Sequence, residues 1–175
     1  MVAIKYLMIT GCAGFIGSNF VRYLLKKNLK YKILGLDNLS YASNINSINE
    51  FKKSKQFIFL KRDISNIKHL EKIFKKMNIV HVINFAAETH VDNSIKKPDV
   101  FIKTNIIGTF NLLKLCTEKW IYSSNFERAY KKSKFLQIST DEVYGSIEKG
   151  SFSEESNFKP NSPYSASKAS ADLLV

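Results

Sequence analysis

Three glycines, Gly11, Gly14 and Gly17, punctuate the start of the chain and constrain its fold more than any other feature. The preceding segment, Val2–Thr10, is apolar and rich in β-forming residues, whereas Phe15–Lys27 carries apolar residues at helical spacing. Glycines between a strand and a helix allow a sharp turn and let the backbone approach a pyrophosphate closely. The opening segment therefore predicts the first βα unit of a dinucleotide-binding domain.

The alternation of strand and helix patterns continues along all 175 residues. Strands are predicted at Tyr31–Asp37, Phe57–Leu60, Ile79–Ala87 and Phe135–Ser139, and helices at Asn66–Met77, at Asp99–Lys119 and from Ser165 onward. Tyr41–Lys53 predicts a loop with a short helix, and Trp120–Lys134 a charged connector. Strands joined by helical crossovers form parallel sheets. We therefore predict an α/β fold, a Rossmann-type doubly wound parallel sheet with helices on both faces, over residues 1–175.

Composition argues against several classes of protein. No apolar run approaches the ~20 residues that a membrane span requires, so we expect no membrane association. Two cysteines, Cys12 and Cys116, are too few for a disulfide framework or a zinc site, and we predict a cytoplasmic protein without a metal. The net charge is +12, but only three of the 27 basic residues are arginines. Nucleic-acid recognition favours arginine, so we expect no nucleic-acid partner and interpret the lysines as solvated surface.

An acid at the end of the second predicted strand supports the dinucleotide interpretation. Asp37 lies 20 residues beyond Gly17, where a carboxylate can bind both ribose hydroxyls of an adenosine. The same charge repels a 2′-phosphate, which predicts NAD rather than NADP as the cofactor. Asp63–Ile64 follow the third strand and could flank the adenine. Ala86–Ala87 are small and would let the cofactor lie close to the edge of the sheet.

Tyr164 and Lys168 are four residues apart on a predicted helix and therefore share a face. A free tyrosine has a pKa of ~10 and is a poor base at neutral pH. A nearby ammonium group and a positive nicotinamide ring favour the phenolate, so we expect the pKa of Tyr164 to be lowered. The pair could then remove a hydroxyl proton while a hydride leaves the same carbon.

Thr140, Asp141 and Glu142 directly follow the fifth predicted strand, at the edge where parallel sheets bind ligands. Two adjacent carboxylates in a partly enclosed site do not both ionise easily, so one is expected to act as an acid and the other as a base. Oxidation of an alcohol needs only the tyrosine and a hydroxyl partner. The additional acid–base pair predicts a second chemical step, most simply the elimination of water.

Most of the chain resembles a known family. The resemblance lies in TGCAGFIGSNFVRYLL, Asp37, NFAAETHVDNSI, TNIIGTFNLL, ISTDEVYGS and SPYSASKASADLLV. The chain closely resembles the extended short-chain dehydrogenases/reductases, and within them the dTDP-glucose 4,6-dehydratases. The STDEVYG segment discriminates best, because related epimerases and decarboxylases usually lack the Asp-Glu pair in this arrangement.

The resemblance implies a lyase of deoxysugar biosynthesis. It would convert a nucleotide-activated glucose, dTDP- or UDP-glucose, to the 4-keto-6-deoxy sugar by C4 oxidation, elimination of water across C5 and C6, and C6 reduction. Tyr164 with Lys168 would oxidise C4 while NAD takes the hydride, and Thr140 would hydrogen-bond the C4 oxygen. Glu142 would remove the C5 proton, and Asp141 would protonate the departing C6 hydroxyl.

The resemblance also extends the predicted binding sites. Thr89 and Thr140 are expected to contact the substrate. The residues expected to bind the cofactor are Gly11, Gly14, Phe15, Ile16, Gly17, Asp37, Asn38, Leu39, Ser40, Asp63, Ile64, Ala86, Ala87, Thr104, Tyr164 and Lys168.

Length is where the chain departs from the family, whose members are roughly twice as long. We therefore expect an N-terminal NAD-binding fragment that lacks the substrate-binding C-terminal part, binds NAD and is catalytically poor alone. A full-length form would be a homodimer through the helices around Asn105–Cys116 and after Tyr164.

Alternatives remain open at this stage. A UDP-sugar 4-epimerase or decarboxylase could use the same scaffold, and the sequence does not decide between thymine and uracil in the substrate nucleotide. A non-catalytic dinucleotide-binding module would need none of Tyr164, Lys168, Asp141 and Glu142, so their presence argues against it. A nucleic-acid binder is the weakest alternative.

Overall fold

Five parallel strands form one sheet in the order β3-β2-β1-β4-β5. A computed structural model describes residues 4–27, 29–122 and 132–175. The strands are β1 Lys5–Thr10, β2 Lys32–Asp37, β3 Phe57–Lys61, β4 Asn78–Asn84 and β5 Lys134–Gln137. The helices are α1 Phe15–Leu25, α2 Ile45–Phe51, α3 Ile67–Lys76, α4 Val91–Lys96, α5 Pro98–Phe101, α6 Gly108–Trp120 and α7 Pro163–Leu174. A π-helical segment spans Ile102–Ile107, and a 3-10 turn spans Asp141–Tyr144.

Two apolar cores, one on each face of the sheet, make the fold doubly wound. Alternate side chains of β1 enter opposite cores: Met8 joins the core under α3 and α6, whereas Leu7 and Ile9 join the core under α1 and α2. The strand order reverses direction between β1 and β4, which places a crevice at their carboxyl ends. The predicted Rossmann-type fold is confirmed.

The ends of several elements differ from the predictions for local reasons. Strand β4 ends at Asn84 rather than Ala87, where its backbone pairing with β1 and β5 also ends, and the Asn84 side chain bonds Thr10, Thr109 and Gln137. Helix α7 begins at Pro163 rather than Ser165, because Ser162 forms a capping box. Val2 and Ala3 of the first predicted strand and residues 123–131 of the connector lie outside the described residues.

The helix predicted at Asp99–Lys119 is divided into α5, the π-helical segment and α6, and α4 precedes it without having been predicted. These three segments follow one another without a break, so the predicted helix is present but is not a regular α-helix throughout. Gly108 begins α6 at a close contact, since a Cβ there would lie 2.6 Å from Cδ1 of Ile64. None of the helices in the described ranges has the length and apolar character needed to cross a bilayer.

Candidate active site

The glycine loop between β1 and α1 is packed too tightly for side chains. Gly11 has φ 63°, and a Cβ there would lie 2.7 Å from the backbone nitrogen of Ala86. At Gly17 a Cβ would lie 2.2 Å from the carbonyl oxygen of Gly11. The Gly14 N–H donates to that same oxygen at 3.1 Å, which closes the turn. The loop therefore brings the backbone to the crevice and directs the start of α1 toward it.

A cavity opens at the carboxyl ends of β1 to β4. The predicted cofactor residues that line it are Gly11, Gly14, Asp37, Asn38, Ser40, Asp63, Ile64, Ala86, Ala87 and Thr104. Its walls also include residues that were not predicted to bind the cofactor: Leu36, Ala42, Ser43, Arg62, Phe85 and Glu88. The fold thus gathers segments from four different strand ends into one site.

Other predicted cofactor residues do not line this cavity. Phe15 and Ile16 begin α1 with side chains that are 85% and 61% exposed. Gly17 packs against the glycine loop, and Leu39 packs beside the core under α1 and α2. Their assignment to the cofactor remains a prediction.

Asp37 is held in place by three donors. Its Oδ2 accepts from the backbone N–H of Ala13 at 2.9 Å, and its Oδ1 accepts from the Leu39 N–H at 2.8 Å and the Ser43 hydroxyl at 2.7 Å. A carboxylate offers about four acceptor positions, so these bonds leave room on Oδ2 for a further hydroxyl. The carboxylate is therefore fixed at the edge of the cavity with limited remaining capacity.

A second group of side chains meets at the carboxyl end of β5. The Tyr164 phenol is buried in the first turn of α7 and hydrogen-bonds with Thr140. The Thr140 hydroxyl accepts from the Glu142 N–H at 3.3 Å and caps the 3-10 turn that carries Asp141 and Glu142. Phe101 packs edge-on against the Tyr164 ring, with centroids 6.3 Å apart. The tyrosine, the threonine and the two acids are thereby brought together.

The environment of the phenol acts against the expected activation. Burial raises the pKa of Tyr164, the Thr140 hydrogen bond lowers it, and the charges of Glu142, Asp141 and Asp172 raise it. Lys168 is buried too and donates its Nζ hydrogen bond to the backbone oxygen of Ile138. The pKa of Tyr164 is therefore raised rather than lowered in this structure, because burial and the nearby carboxylates disfavour the phenolate while the Lys168 ammonium is directed to Ile138. A lowered pKa with the nicotinamide ring also in the site remains a prediction.

Burial also affects Lys168, whose pKa it lowers, while Asp172 raises it. Asp172 in turn accepts a hydrogen bond from the Ser139 hydroxyl, which ties α7 to the segment after β5. Lys168 and Asp172 thus anchor α7 to the two residues that precede Thr140.

Asn105 connects the two groups of residues and was missed as a functional residue. Its side chain is 1% exposed and lies in the π-helical segment. It accepts from the Glu88 N–H at 2.8 Å and donates to the Glu88 oxygen at 3.0 Å and the Ser167 hydroxyl at 2.8 Å. Glu88 lines the cavity, and Ser167 precedes Lys168. A polar residue within an apolar helical pattern was the available signal.

Glu88 and Thr89 follow β4 but differ in environment. Glu88 is half-buried in the cavity wall; burial raises its pKa, the charge of Asp63 raises it further, and a hydrogen bond with Tyr41 lowers it. Thr89 is exposed at the entry to α4 and does not line the cavity. Its role toward a substrate remains a prediction.

Comparison with known proteins decides the family. Residues 8–175 match the sequence profile of the family described as GDP-mannose 4,6 dehydratase. The chain belongs to this family. The dTDP-glucose 4,6-dehydratase of Xanthomonas campestris pv. campestris is 41% identical over 169 residues, which are 96% of this chain and 47% of that protein. The resemblance inferred from the motifs is thus confirmed, and the chain spans about half the length of the curated relatives it matches.

Solved structures agree with this placement. The dTDP-glucose 4,6-dehydratase of Streptomyces venezuelae, solved with NAD bound, superposes on this chain with a TM-score of 0.84 at 38% identity. That match covers 97% of this chain and 50% of the Streptomyces chain. The UDP-Glc/GlcNAc 4-epimerase of Campylobacter jejuni gives a TM-score of 0.83 at 29% identity. That match covers 97% of this chain and 47% of the epimerase chain. The fold is therefore shared by dehydratases and epimerases, while sequence identity is higher to the dehydratase.

Proposed function

We propose that this chain forms the cofactor-binding and catalytic part of an NAD-dependent dehydratase that acts on a nucleotide-activated glucose. The substrate would be dTDP- or UDP-glucose and the product the 4-keto-6-deoxy sugar. The observation that carries this proposal is the pair Asp141–Glu142 beside the hydrogen-bonded Tyr164 and Thr140. Relatives named dTDP-glucose 4,6-dehydratase, one of them solved with NAD, support the same assignment.

The cavity fits a dinucleotide. Gly11 and Gly14 offer backbone without side chains where a pyrophosphate would approach, and helix α1 starts at that point. Asp37 keeps acceptor capacity for a ribose hydroxyl, and Asp63 and Ile64 would lie beside the adenine. Bound there, NAD would supply the hydride acceptor for C4 and the hydride donor for C6.

The chain's own residues would handle the protons. Tyr164 would take the C4 hydroxyl proton, with Thr140 hydrogen-bonded to the same oxygen. Glu142 would remove the C5 proton, which the 4-keto group makes acidic, while Asp141 protonates the C6 hydroxyl so that water leaves. After C6 is reduced, the proton on Glu142 would return to C5. Lys168 would support the phenolate, whose formation burial otherwise opposes.

The decisive experiment measures product and cofactor reduction separately. We would assay the chain alone and joined to the remaining C-terminal part of the X. campestris relative, with dTDP-glucose and UDP-glucose. We expect the fusion to form the 4-keto-6-deoxy product, detected by its alkaline absorbance. Glu142→Gln should stop product formation but still allow partial reduction of NAD, whereas Glu148→Gln, an exposed control, should behave as the parent. Parental product formation by Glu142→Gln would contradict the assigned base.

A 4-epimerase is the second candidate, because the C. jejuni epimerase superposes nearly as well as the dehydratase. Epimerisation needs only Tyr164, Thr140 and the cofactor. It would give the 4-epimer with the C6 hydroxyl retained, and the Glu142→Gln variant would remain active.

We further propose that the protein acts in the cytoplasm as a homodimer. The two cysteines, Cys12 and Cys116, are buried free thiols, as suits a reducing compartment. Apolar side chains are exposed on α6 and α7, including Phe110 and Leu174. A second copy of the chain could cover them.

A further inference from the structure

One face of α7 is hydrogen-bonded to the segment that follows β5. Three residues at four-residue spacing lie on this face: Tyr164, Lys168 and Asp172. Their partners are three consecutive residues of that segment, in this order: Thr140, Ile138 and Ser139. The proposed reaction uses Tyr164, Lys168 and Thr140 and gives Asp172 no part, although Asp172 holds the residue between the other two contacts.

The Asp172 contact fixes the backbone that carries Thr140. The Ser139 hydroxyl donates to Oδ2 of Asp172, which lies 33 residues further along the chain. Ser139 stands between Ile138, whose carbonyl oxygen accepts from Nζ of Lys168, and Thr140, which bonds the phenol at the start of α7. Successive Cα atoms are about 3.8 Å apart, so a movement of Ser139 away from α7 would displace both neighbouring contacts.

Asp172 is also the nearby opposite charge for Lys168. Lys168 is 3% exposed, and its Nζ donates to a neutral carbonyl oxygen rather than to a carboxylate. The ion pairs of the described residues lie elsewhere: Arg22–Glu50 and Lys114–Glu118. Burial lowers the pKa of Lys168, whereas the charge of Asp172 raises it. Asp172 therefore opposes the loss of charge that burial favours.

The other groups that face Tyr164 and Lys168 come from elements packed against α7. The 3-10 turn contributes two carboxylates: Asp141 and Glu142. The side chains that contact α7 from α5 and from the π-helical segment include two that do not titrate: Phe101 and Asn105. All three acids raise the pKa of Tyr164, but Asp172 is the one that also acts on Lys168.

We propose that Asp172 is a positioning residue for the catalytic groups of α7. It holds Ser139 so that Thr140 stays hydrogen-bonded to Tyr164, and its carboxylate balances the charge of the buried Lys168. The inference rests on the proposed function of Tyr164 and Lys168, and it assigns Asp172 no contact with substrate or cofactor.

Two variants separate the hydrogen bond from the charge. Ser139→Ala removes the bond and keeps the carboxylate, whereas Asp172→Asn removes the charge and keeps an oxygen that can accept from Ser139. Ser139 is exposed and Asp172 is half-buried, so both variants should fold, which circular dichroism checks. Glu71→Gln, at an exposed position of α3, is the control for the change of net charge.

Two titrations of the chain without ligand provide the first readouts. Carbon-13 NMR of the lysine side chains follows Lys168, whose resonance is assigned by its absence in Lys168→Met. Ultraviolet difference titration against the matching Tyr164→Phe protein follows the phenol. We expect Asp172→Asn to lower the pKa of Lys168 more than Ser139→Ala does. Ser139→Ala should raise the pKa of Tyr164, because the Thr140 hydrogen bond is less well held, and Glu71→Gln should change neither group.

A rate measurement tests the consequence for catalysis. In the fusion protein with dTDP-glucose, Ser139→Ala and Asp172→Asn should each slow the reduction of NAD by about tenfold, as for one misplaced hydrogen bond. KM should stay within about twofold of the parental value, because neither residue contacts the substrate. Glu71→Gln should keep the parental rate.

Four results would overturn the inference. They are an unchanged titration of Lys168 in Asp172→Asn, an unchanged titration of Tyr164 in Ser139→Ala, parental rates of NAD reduction in both variants, and an equal effect of Glu71→Gln. The titrations need no substrate, so an inactive fusion whose variants titrate as expected would instead contradict the proposed function.

Discussion

At the scale of single residues, the surroundings of Tyr164 disfavour the phenolate form that it would need to act as a base. The phenol is enclosed by Phe101 and faces the carboxylates of the 3-10 turn, so the neutral form is favoured. The hydrogen bond with Thr140 acts in the opposite direction. The ability of Tyr164 to act as a base therefore depends on Thr140 before any ligand contributes.

We predict that Thr140→Ala raises the pKa of Tyr164 further, whereas Thr140→Ser keeps the hydrogen bond and the parental value. Ultraviolet difference titration of each variant, with the same variant carrying Tyr164→Phe as reference, reports this phenol alone. A raised pKa also means that the folded state disfavours the phenolate. The contribution of Tyr164 to stability is therefore complete below the unfolded pKa of about 10 and is lost as the pH rises through the higher folded value. An unchanged titration in Thr140→Ala would refute the prediction.

Two glycines of the first loop have different roles: Gly17 is required by close packing, whereas Gly14 lines the cavity. At Gly17 a Cβ would meet backbone 2.2 Å away, which no side-chain movement can relieve. Gly14 has an ordinary φ of −71° and a nearest contact of 3.3 Å, but it lines the cavity.

We predict that Gly17→Ala lowers the free energy of unfolding by about 3 kcal/mol, as for severe overpacking. Gly14→Ala should change it by less than about 1 kcal/mol yet weaken NAD binding, because its methyl group would occupy space at the pyrophosphate position. Urea unfolding and calorimetry measure the two effects. Equal stability of the two variants would contradict the close contact at Gly17.

At the scale of elements, the π-helical segment joins the cavity to the catalytic helix. It presents Thr104 to the cavity and turns Asn105 inward, where one amide satisfies both backbone groups of Glu88 and the hydroxyl of Ser167. Irregular turns of this kind often occur at functional sites. A movement of α7 relative to the loop after β4 must break this amide's bonds.

We predict that Asn105→Ala lowers the free energy of unfolding by about 3 kcal/mol, because it leaves buried partners unsatisfied. Asn49→Ala, at an exposed position of α2, should change it by less than about 0.5 kcal/mol. NAD affinity should also fall in Asn105→Ala, since Glu88 lines the cavity. Urea unfolding monitored by circular dichroism checks the first effect, and a loss below about 1 kcal/mol would count against the bridging role.

The same elements show what sequence could predict. Strand ends in parallel sheets meet at one edge, so Asp37, Asp63 and Ala86–Ala87 could be assigned to one cavity from their positions alone. Arg62 was missed as a lining residue because its place at the cavity depends on the pairing of β2 with β3. Asn105 was missed because helical periodicity assumes a regular turn, and the π-helical segment changes the direction in which its side chain points.

At the scale of the whole molecule, one face of the helical layer is left apolar. Phe110 of α6 is 48% exposed and Leu174 of α7 is 44% exposed, and they share a groove with Leu113 and Tyr122. Contiguous apolar surface on a protein of net charge +12 is unfavourable in water and typical of an interface. A two-fold axis would place the same patch of two copies face to face.

We predict that the chain sediments as a dimer at micromolar concentration and that Phe110→Asp makes it a monomer, because a charge facing its own copy must be desolvated. Ile147→Asp adds the same charge at an exposed position in the loop after the 3-10 turn and should leave the dimer intact. Circular dichroism establishes that both variants are folded, which is expected since neither side chain is buried. A monomeric parent, or equal dissociation by both variants, would assign the apolar face to another partner.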